Sequence, residues 1–374
     1  MFLALRELKF ARARFGLMGA VVALIAVLMV LLSGLSVGLV NDGVSGLQRL
    51  PVTSFAFEEG VQHDAAFSRS VVKTDAVKTW AGQKGVEEAA PFGNALVNGK
   101  SDSGVEIDLA LFGVETGSFL SPAVAEGARL SGAEPAGIVV SKTAVDAGVK
   151  LGDTITIDRI GTRLKVVGTL ADQHTYGHVD VGYVPLRTWQ EVKIGAGPGD
   201  EVPARAYEEI TAVAVKGEPA DAAAADKAAG TETLALKEAF GASPGYTAET
   251  STLTLIEVFL YAISALVVGA FFTVLTIQRK QEIAVVRAMG ASTGYLLRDA
   301  IAQALILLLL SVGAGVAVGV GLGSMIGGTA PFALEAGAVA AASALLIALG
   351  VVGALGAVLR ITAVDPLTAL GGSR

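Results

Sequence analysis

Four uninterrupted apolar runs divide the chain. Residues 15–40 carry no charge and only Ser33 and Ser36 as hydroxyl side chains; residues 253–277 carry a single charge, Glu257; residues 300–326 and 336–359 carry none. Each run is long enough to cross a hydrocarbon core of about 30 Å, which takes roughly 20 helical residues. Backbone groups in lipid pair within their own segment only as a helix. The pattern therefore predicts transmembrane helices over 15–40, 253–277, 300–326 and 336–359. The first run is longer than the apolar region of about 7–15 residues in a signal peptide, and no clean small-x-small cleavage pattern follows it, so it reads as an uncleaved anchor.

Between 41 and 252 the period changes. Residues 52–57 and 105–112 alternate like strands, whereas 73–84 has helical spacing. The stretch 137–157 reads strand, short helix, glycine-bounded turn, strand, with Ser141 as N-cap and Gly148 as the helix stop. Residues 163–170 form the next strand, and 182–186 lead into a short helix near Trp189. A loop at 195–203 and an alanine-rich helix over 220–230 complete the reading. The expected fold is a membrane protein with four transmembrane α-helices, one plus three, and an α+β extracytoplasmic domain (41–252) between the first and second. The remaining pieces are an N-terminal segment (1–14), a loop (278–299), a short outer loop (327–335) and a tail (360–374).

Composition narrows the function. The chain is 52% hydrophobic and 17% charged, against about 25% charged in soluble proteins, and its mean hydropathy is +0.61. The absence of cysteine excludes disulfides, thiolate metal sites, iron–sulfur clusters and cysteine nucleophiles. A net charge of −7 argues against nucleic acid as a partner. No Gly-x4-Gly-Lys-Ser/Thr loop is present, so the chain does not hydrolyse ATP itself. Nothing like a nucleophile elbow surrounds its serines either, and an enzyme is not expected.

Basic residues set the orientation. Arg6, Lys9, Arg12 and Arg14 precede the first span. Arg279, Lys280, Arg287 and Arg298 lie between the second and third, and Arg360 and Arg374 follow the fourth. The loop 327–335 has no Lys or Arg. The positive-inside rule puts both termini and 278–299 in the cytoplasm. Residues 42–252 then lie outside, with 18 Lys and Arg against 29 Asp and Glu. Ser103 and Ser243 would face outward and Ser292 inward, in a multi-pass protein of the cell membrane.

Glu257 is the informative residue, because an acid inside a span is expensive and marks a functional site by default. Tyr261 follows four residues on, on the same face. The bland alternative is a carboxylate snorkelling to the interface. Tyr246 and Glu249 lie one to two turns earlier if the helix extends outward. His174, Tyr176 and His178 would share one strand face at period two, or sit in a loop beside Gly177. Glu58, Glu59 and His63 form a second cluster, to which Phe55, Phe57 and Phe67 add apolar area. Gly315, Gly319 and Gly323 form a small-xxx-small ladder read as helix packing.

The segment from Gln278 to Ser292 is the sharpest motif. Arg279, Glu282 and Arg287 surround an apolar stripe of Ile283, Val286 and Met289, and Gly290 ends the helix. Such a helix could simply lie in the membrane interface. The chain as a whole, however, resembles the permease subunits of the MacB, FtsX and LolC type of ABC transporter. In that family an Arg-x-x-Glu-x-x-x-x-Arg-Ala-x-Gly-Ala-Ser segment after the second span is the coupling helix that docks into the ATPase. Arg279, Glu282, Arg287, Ala288, Gly290, Ala291 and Ser292 match it position by position. The stretch 137–157, with its Gly152-Asp153 turn, and the closing Asp365-Pro366-Leu-Thr-Ala369-Leu370 are also similar to the family.

The resemblance implies a homodimer in membrane lipid, working with two copies of a separate ATPase that holds ATP and Mg; no cofactor is expected to be bound permanently to this chain. Within the family it most resembles the haem-efflux permeases of Gram-positive bacteria, which implies haem as substrate. Glu257, Tyr261, Tyr246, Glu58 and His63 are then the candidate ligands for the haem iron, and Arg49, Arg69 and Lys73 the candidates for its propionates. The expected site lies in the outer leaflet, between the first and second spans of two subunits. The other readings are export of a lipid, peptide or macrolide, and FtsX-like signalling to a cell-wall hydrolase.

Overall fold

The computed structural model describes residues 12–132, 136–278, 285, 289–326 and 331–362. Helix α1 (Arg12–Gln48) leads into β1 (Ser54–Glu58), α2 (Asp75–Ala81), β2 (Val86–Ser101), β3 (Glu106–Val114), β4 (Gly137–Val140), α3 (Lys142–Asp146) and β5 (Thr154–Ile157). Then come β6 (Arg163–Thr169), β7 (Thr175–Tyr176), β8 (Val179–Pro185), α4 (Leu186–Lys193), β9 (Ala212–Gly217), α5 (Ala222–Ala229) and β10 (Thr231–Ala235). Three long helices follow: α6 (Tyr246–Gln278), α7 (Thr293–Ile326) and α8 (Ala336–Thr362). Among the described residues, α1, α6, α7 and α8 are long and apolar enough to cross a membrane. Two compact units emerge, one built from the chain up to Leu39 and from Thr250 onward, the other from Val40–Glu249.

The membrane unit is held by small residues that let backbones meet. A side chain on Gly315 of α7 would collide with the Ala23 carbonyl of α1, and one on Gly319 would come within 2.9 Å of Val30. Gly323, the third rung, faces Phe332. Gly269 of α6 and Gly353 of α8 face one another in the same way. Around these contacts Phe15, Met18, Val22 and Met29 of α1 pack with Val268 and Phe272 of α6, Leu308 and Val312 of α7 and Leu346 of α8. Without a hydrophobic drive in lipid, close approach and dispersion supply the cohesion.

The second unit carries a mixed sheet in the order β10-β1-β9-β2-β3-β8-β4-β6, with β5 joined to β2 and β6 and β7 joined to β8. The pairs β3·β8 and β4·β6 are parallel and the rest of this path is antiparallel. The stretch 137–157 folds as strand, helix, turn and strand: the Ser141 hydroxyl accepts from Thr143 N, and Gly148 leaves the helix at φ 113°. Residues 52–57 differ from the expected alternation. Ser54, Phe55, Ala56 and Phe57 are all buried, because β1 lies inside the sheet with both faces covered. Within 73–84 the helix is the shorter Asp75–Ala81, since Val72–Lys73 pairs with Glu209–Ile210 instead.

Gly93 of β2 and Gly113 of β3 stand opposite each other in register. The Trp189 ring of α4 lies directly over both, in space that side chains there would occupy. Helix α1 runs past residue 40 to Gln48, so that Val44 and Leu47 are buried in the aromatic core of the domain.

Candidate functional site

On α6, residues 253, 257, 261, 264 and 268 recur at helical spacing and turn inward, while Leu255, Val258, Phe259 and Leu266 stay exposed. Glu257 and Tyr261 are half-buried, and Tyr261 packs against the apolar core of the membrane unit. One turn further, Ser264 is wholly buried and its hydroxyl has no hydrogen-bond partner. The helix thus presents a carboxylate, a phenol and a hydroxyl on successive turns of one face. The sequence marked the first two. Ser264 escaped notice because a serine in an apolar run usually reads as packing, although its offset of three from Tyr261 was the available signal.

The candidates within the Val40–Glu249 unit fall into separate places. His63 Nε2 lies 2.9 Å from Glu232 Oε1, and Glu232 also accepts from Gly60 N at 3.4 Å. Nearby in the chain, the Glu58 carboxylate accepts from Val71 N at 3.1 Å, and Arg69 donates to the Gln62 side chain. Arg49 is engaged elsewhere, donating to Gln173 O at 3.0 Å and pairing with Asp172 at 3.1 Å. The two arginines therefore share no partner. Lys73 is exposed. Phe55, Phe57 and Phe67 do not form an apolar slot beside Glu58 and His63. They are at most 1% exposed, and Phe67 stacks edge-on against the other two at 4.9–5.2 Å in the domain core. Such pairing adds to the value of burial and leaves no ring face for a ligand.

His174, Tyr176 and His178 do not share a strand face. Gly177 and His178, at φ 58° and 65°, make the two-residue turn between β7 and β8, a geometry that requires left-handed backbone at both positions. Tyr176 is in the core, and burial raises its phenol. His174 Nδ1 lies 3.1 Å from the Tyr183 hydroxyl. Burial, helped by the charge of Arg49 and opposed by Asp172, lowers the His174 pKa to about 4.

His178 projects from the turn to two carboxylates: Nδ1 is 2.9 Å from Asp42 Oδ2 on α1, and Nε2 is 3.1 Å from Glu249 Oε2 on α6. Tyr246, one turn before Glu249, stacks on Phe240 at 6.1 Å. Local sequence does not announce this trio, because Asp42 and Glu249 approach His178 from distant segments. Among the described residues no group of three or more His, Asp and Glu is arranged to hold a metal ion.

Of the expected coupling segment, Arg279, Glu282 and Arg287 lie outside the described residues. Gly290 is described, with φ 98°, a backbone that favours glycine. Ser292 accepts from Tyr295 N at 3.3 Å and caps the start of α7.

Comparison with known proteins adds a set of likenesses. Residues 233–366 match the FtsX-like permease C-terminal family. A protein described as a candidate hemin transport system permease, HrtB, from Staphylococcus haemolyticus is 24% identical over 379 residues, covering 100% of this chain and 99% of its own length. Its namesake from Staphylococcus epidermidis is 24% identical over 377 residues, with 100% of both chains covered. An uncharacterized ABC transporter permease of Mycobacterium tuberculosis is 23% identical over 378 residues, covering 100% of this chain and 99% of its own. Among solved structures, the extracellular domain of the noncanonical ABC-type transporter YknZ from Gram-positive bacteria aligns with TM-score 0.35 and 16% identity, covering 49% of this chain and 98% of that one. The periplasmic region of MacB from Actinobacillus actinomycetemcomitans aligns with TM-score 0.36 and 15% identity, covering 50% and 91%. Four apolar helices among the described residues mark a membrane protein, which matches the FtsX-like permease C-terminal family over residues 233–366 and is similar along its whole length to ABC transporter permeases.

Proposed function

We propose that this chain is the membrane subunit of an efflux pump that takes haem from the membrane, driven by a separate ATPase. The observation that carries the reading is Glu257, the one charge within the four apolar runs, with Tyr261 on the next turn of the same inward stripe. An ionisable group inside a span is costly and marks a functional site by default. Glu257 is the fifth residue of its run, where the cost is below the roughly 2.5–3.5 kcal/mol of a span centre, and a packing role gives no reason to retain it. Haem is flat, amphipathic and membrane-soluble; it needs an apolar slot and one or two axial ligands. Carboxylate and phenol oxygens can bind ferric iron, and ligation of modest strength suits a carrier that must let go.

The hemin-transport names of the staphylococcal relatives support the same substrate. A homodimer would bring each ligand in twice around a twofold axis, and the exposed apolar faces of α6 offer contact area for it. Two ATPase subunits, holding ATP and Mg, would dock at 279–290 on the cytoplasmic side, where the basic residues place both termini.

The test is a haem titration of the full chain in detergent, paired with a haem-tolerance assay in cells. Glu257→Gln and Tyr261→Phe should each weaken binding about tenfold, as expected for the loss of roughly 1.4 kcal/mol, or shift the Soret band, and should reduce tolerance. If both behave as the parent while His63→Ala fails, the ligands belong to the domain. If the parent itself takes up no haem, the substrate is another amphipath such as a lipid, peptide or macrolide.

A further inference from the structure

We propose that His178 is a proton-operated clasp, tying the domain end of α1 to the start of α6 through the turn between β7 and β8. The geometry carries this. The two ring nitrogens face two different carboxylates, Asp42 at 2.9 Å and Glu249 at 3.1 Å. A neutral imidazole has one N–H, so its bare nitrogen would confront one carboxylate lone pair to lone pair. Only the imidazolium donates to both.

The backbone points the same way. His178 is one of two described non-glycine residues with positive φ, at 65°, where glycine or asparagine would sit more easily. Strain of this kind persists where the surroundings over-determine a residue. The rest of the turn is fixed to α1 without any titratable contact: Gly177 N donates to Gly43 O at 2.8 Å and Thr175 N to Ser45 Oγ at 3.0 Å. Gly46 permits this approach, since a side chain there would meet Val181 at 2.8 Å. Glu249 is the α6 carboxylate that the turn holds.

The ionisable groups around the ring are Asp42 from α1 and Glu249 and Tyr246 from α6, with Asp180 of β8 within the field of Asp42. Burial works against the charge on His178, but the hydrogen bond and field of Asp42 and the field of Glu249 outweigh it and raise its pKa above the ordinary 6.5. The clasp is therefore fully closed below about pH 6.5, the unperturbed value. It opens as pH rises through the higher pKa of the folded protein, when the ring loses one of its two partners. Within the Val40–Glu249 unit, the hold of the turn on the end of α1 and the start of α6 would thus follow pH. The inference takes from the proposed function only that α1 and α6 continue as spans, and holds whatever is transported.

The test is hydrogen exchange by mass spectrometry on the full chain in detergent, from pH 5.5 to 8.5, corrected for intrinsic rates. Peptides over 172–180 and 244–252 should be several-fold better protected at the acidic end in the parent, with a midpoint above 6.5. In His178→Asn, which suits the turn but carries no charge, the difference should vanish. Glu249→Gln should move the midpoint to lower pH, and it provides the same test if the asparagine variant does not fold. A parent without the pH difference, or a His178→Asn variant that keeps it, overturns the clasp. Haem binding is read in neither arm, so this outcome is separate from that of the substrate titration.

Discussion

His174 and His178 lie four residues apart and respond to acid in opposite senses. The His174 pKa, brought down to about 4 by burial and by Arg49, is below its value near 6.5 in the unfolded chain. Between those values the unfolded chain holds the extra proton, so stability falls as pH drops through the window from 6.5 to 4. We expect His174→Gln to flatten the pH dependence of the thermal midpoint between pH 7 and 4.5, while the parent loses more. An unchanged slope would mean that His174 binds its proton equally well in the folded and unfolded chains. At this scale the sequence singles out a residue that contradicts its surroundings, as Glu257 does inside an apolar run. It is silent where a residue's meaning comes from strangers in the chain: nothing near His178 announces Asp42 or Glu249. Phe55, Phe57 and Phe67 misled for a related reason, because an aromatic beside a polar cluster looks the same whether it lines a slot or fills a core.

Elements fared better where length alone decides. A run of 25 or so apolar residues has one outcome in lipid. The ends were less legible. Asn41-Asp42-Gly43 has the composition of a turn, yet α1 continues to Gln48 because Val44 and Leu47 are buried in the domain core. Strand β2 was not foreseen at all. Its 16 residues include Pro91, Gly93 and Gly99, which break the period of two, and Gly93 is there to admit Trp189. The glycine ladder of α7 was legible as packing, and the structure supplies the partner helix for two of its rungs. Replacing Gly315 or Gly319 with Leu must push α1 and α7 apart and should cost about 1–3 kcal/mol or more by overpacking. Gly321→Leu, where nothing lies within 4 Å, should be tolerated. Heating in detergent followed by size-exclusion chromatography separates the two outcomes; equal losses for Gly319 and Gly321 would mean that close approach is not what holds α7.

For the whole molecule, charge is the organising quantity. The segment 42–252 carries a net charge of −11 and the three basic segments together +6, and loops rich in Lys and Arg stay on the cytoplasmic side. The proposed docking of an ATPase at 279–290 requires the same orientation, because ATP is found on the cytoplasmic side. Single cysteines report this directly, since the chain has none of its own. Ser103 and Ser131 are exposed on the domain and Ser292 is exposed beside Gly290. Ser243, although in the outward segment, is 1% exposed and would stay silent in either orientation. In intact cells an impermeant maleimide should label Ser103→Cys and Ser131→Cys, and Ser292→Cys only after permeabilisation. Labelling of position 292 from outside would invert the molecule. It would also rule out the proposed ATPase docking at 279–290 and leave Glu257 near the cytoplasmic rather than the outer leaflet.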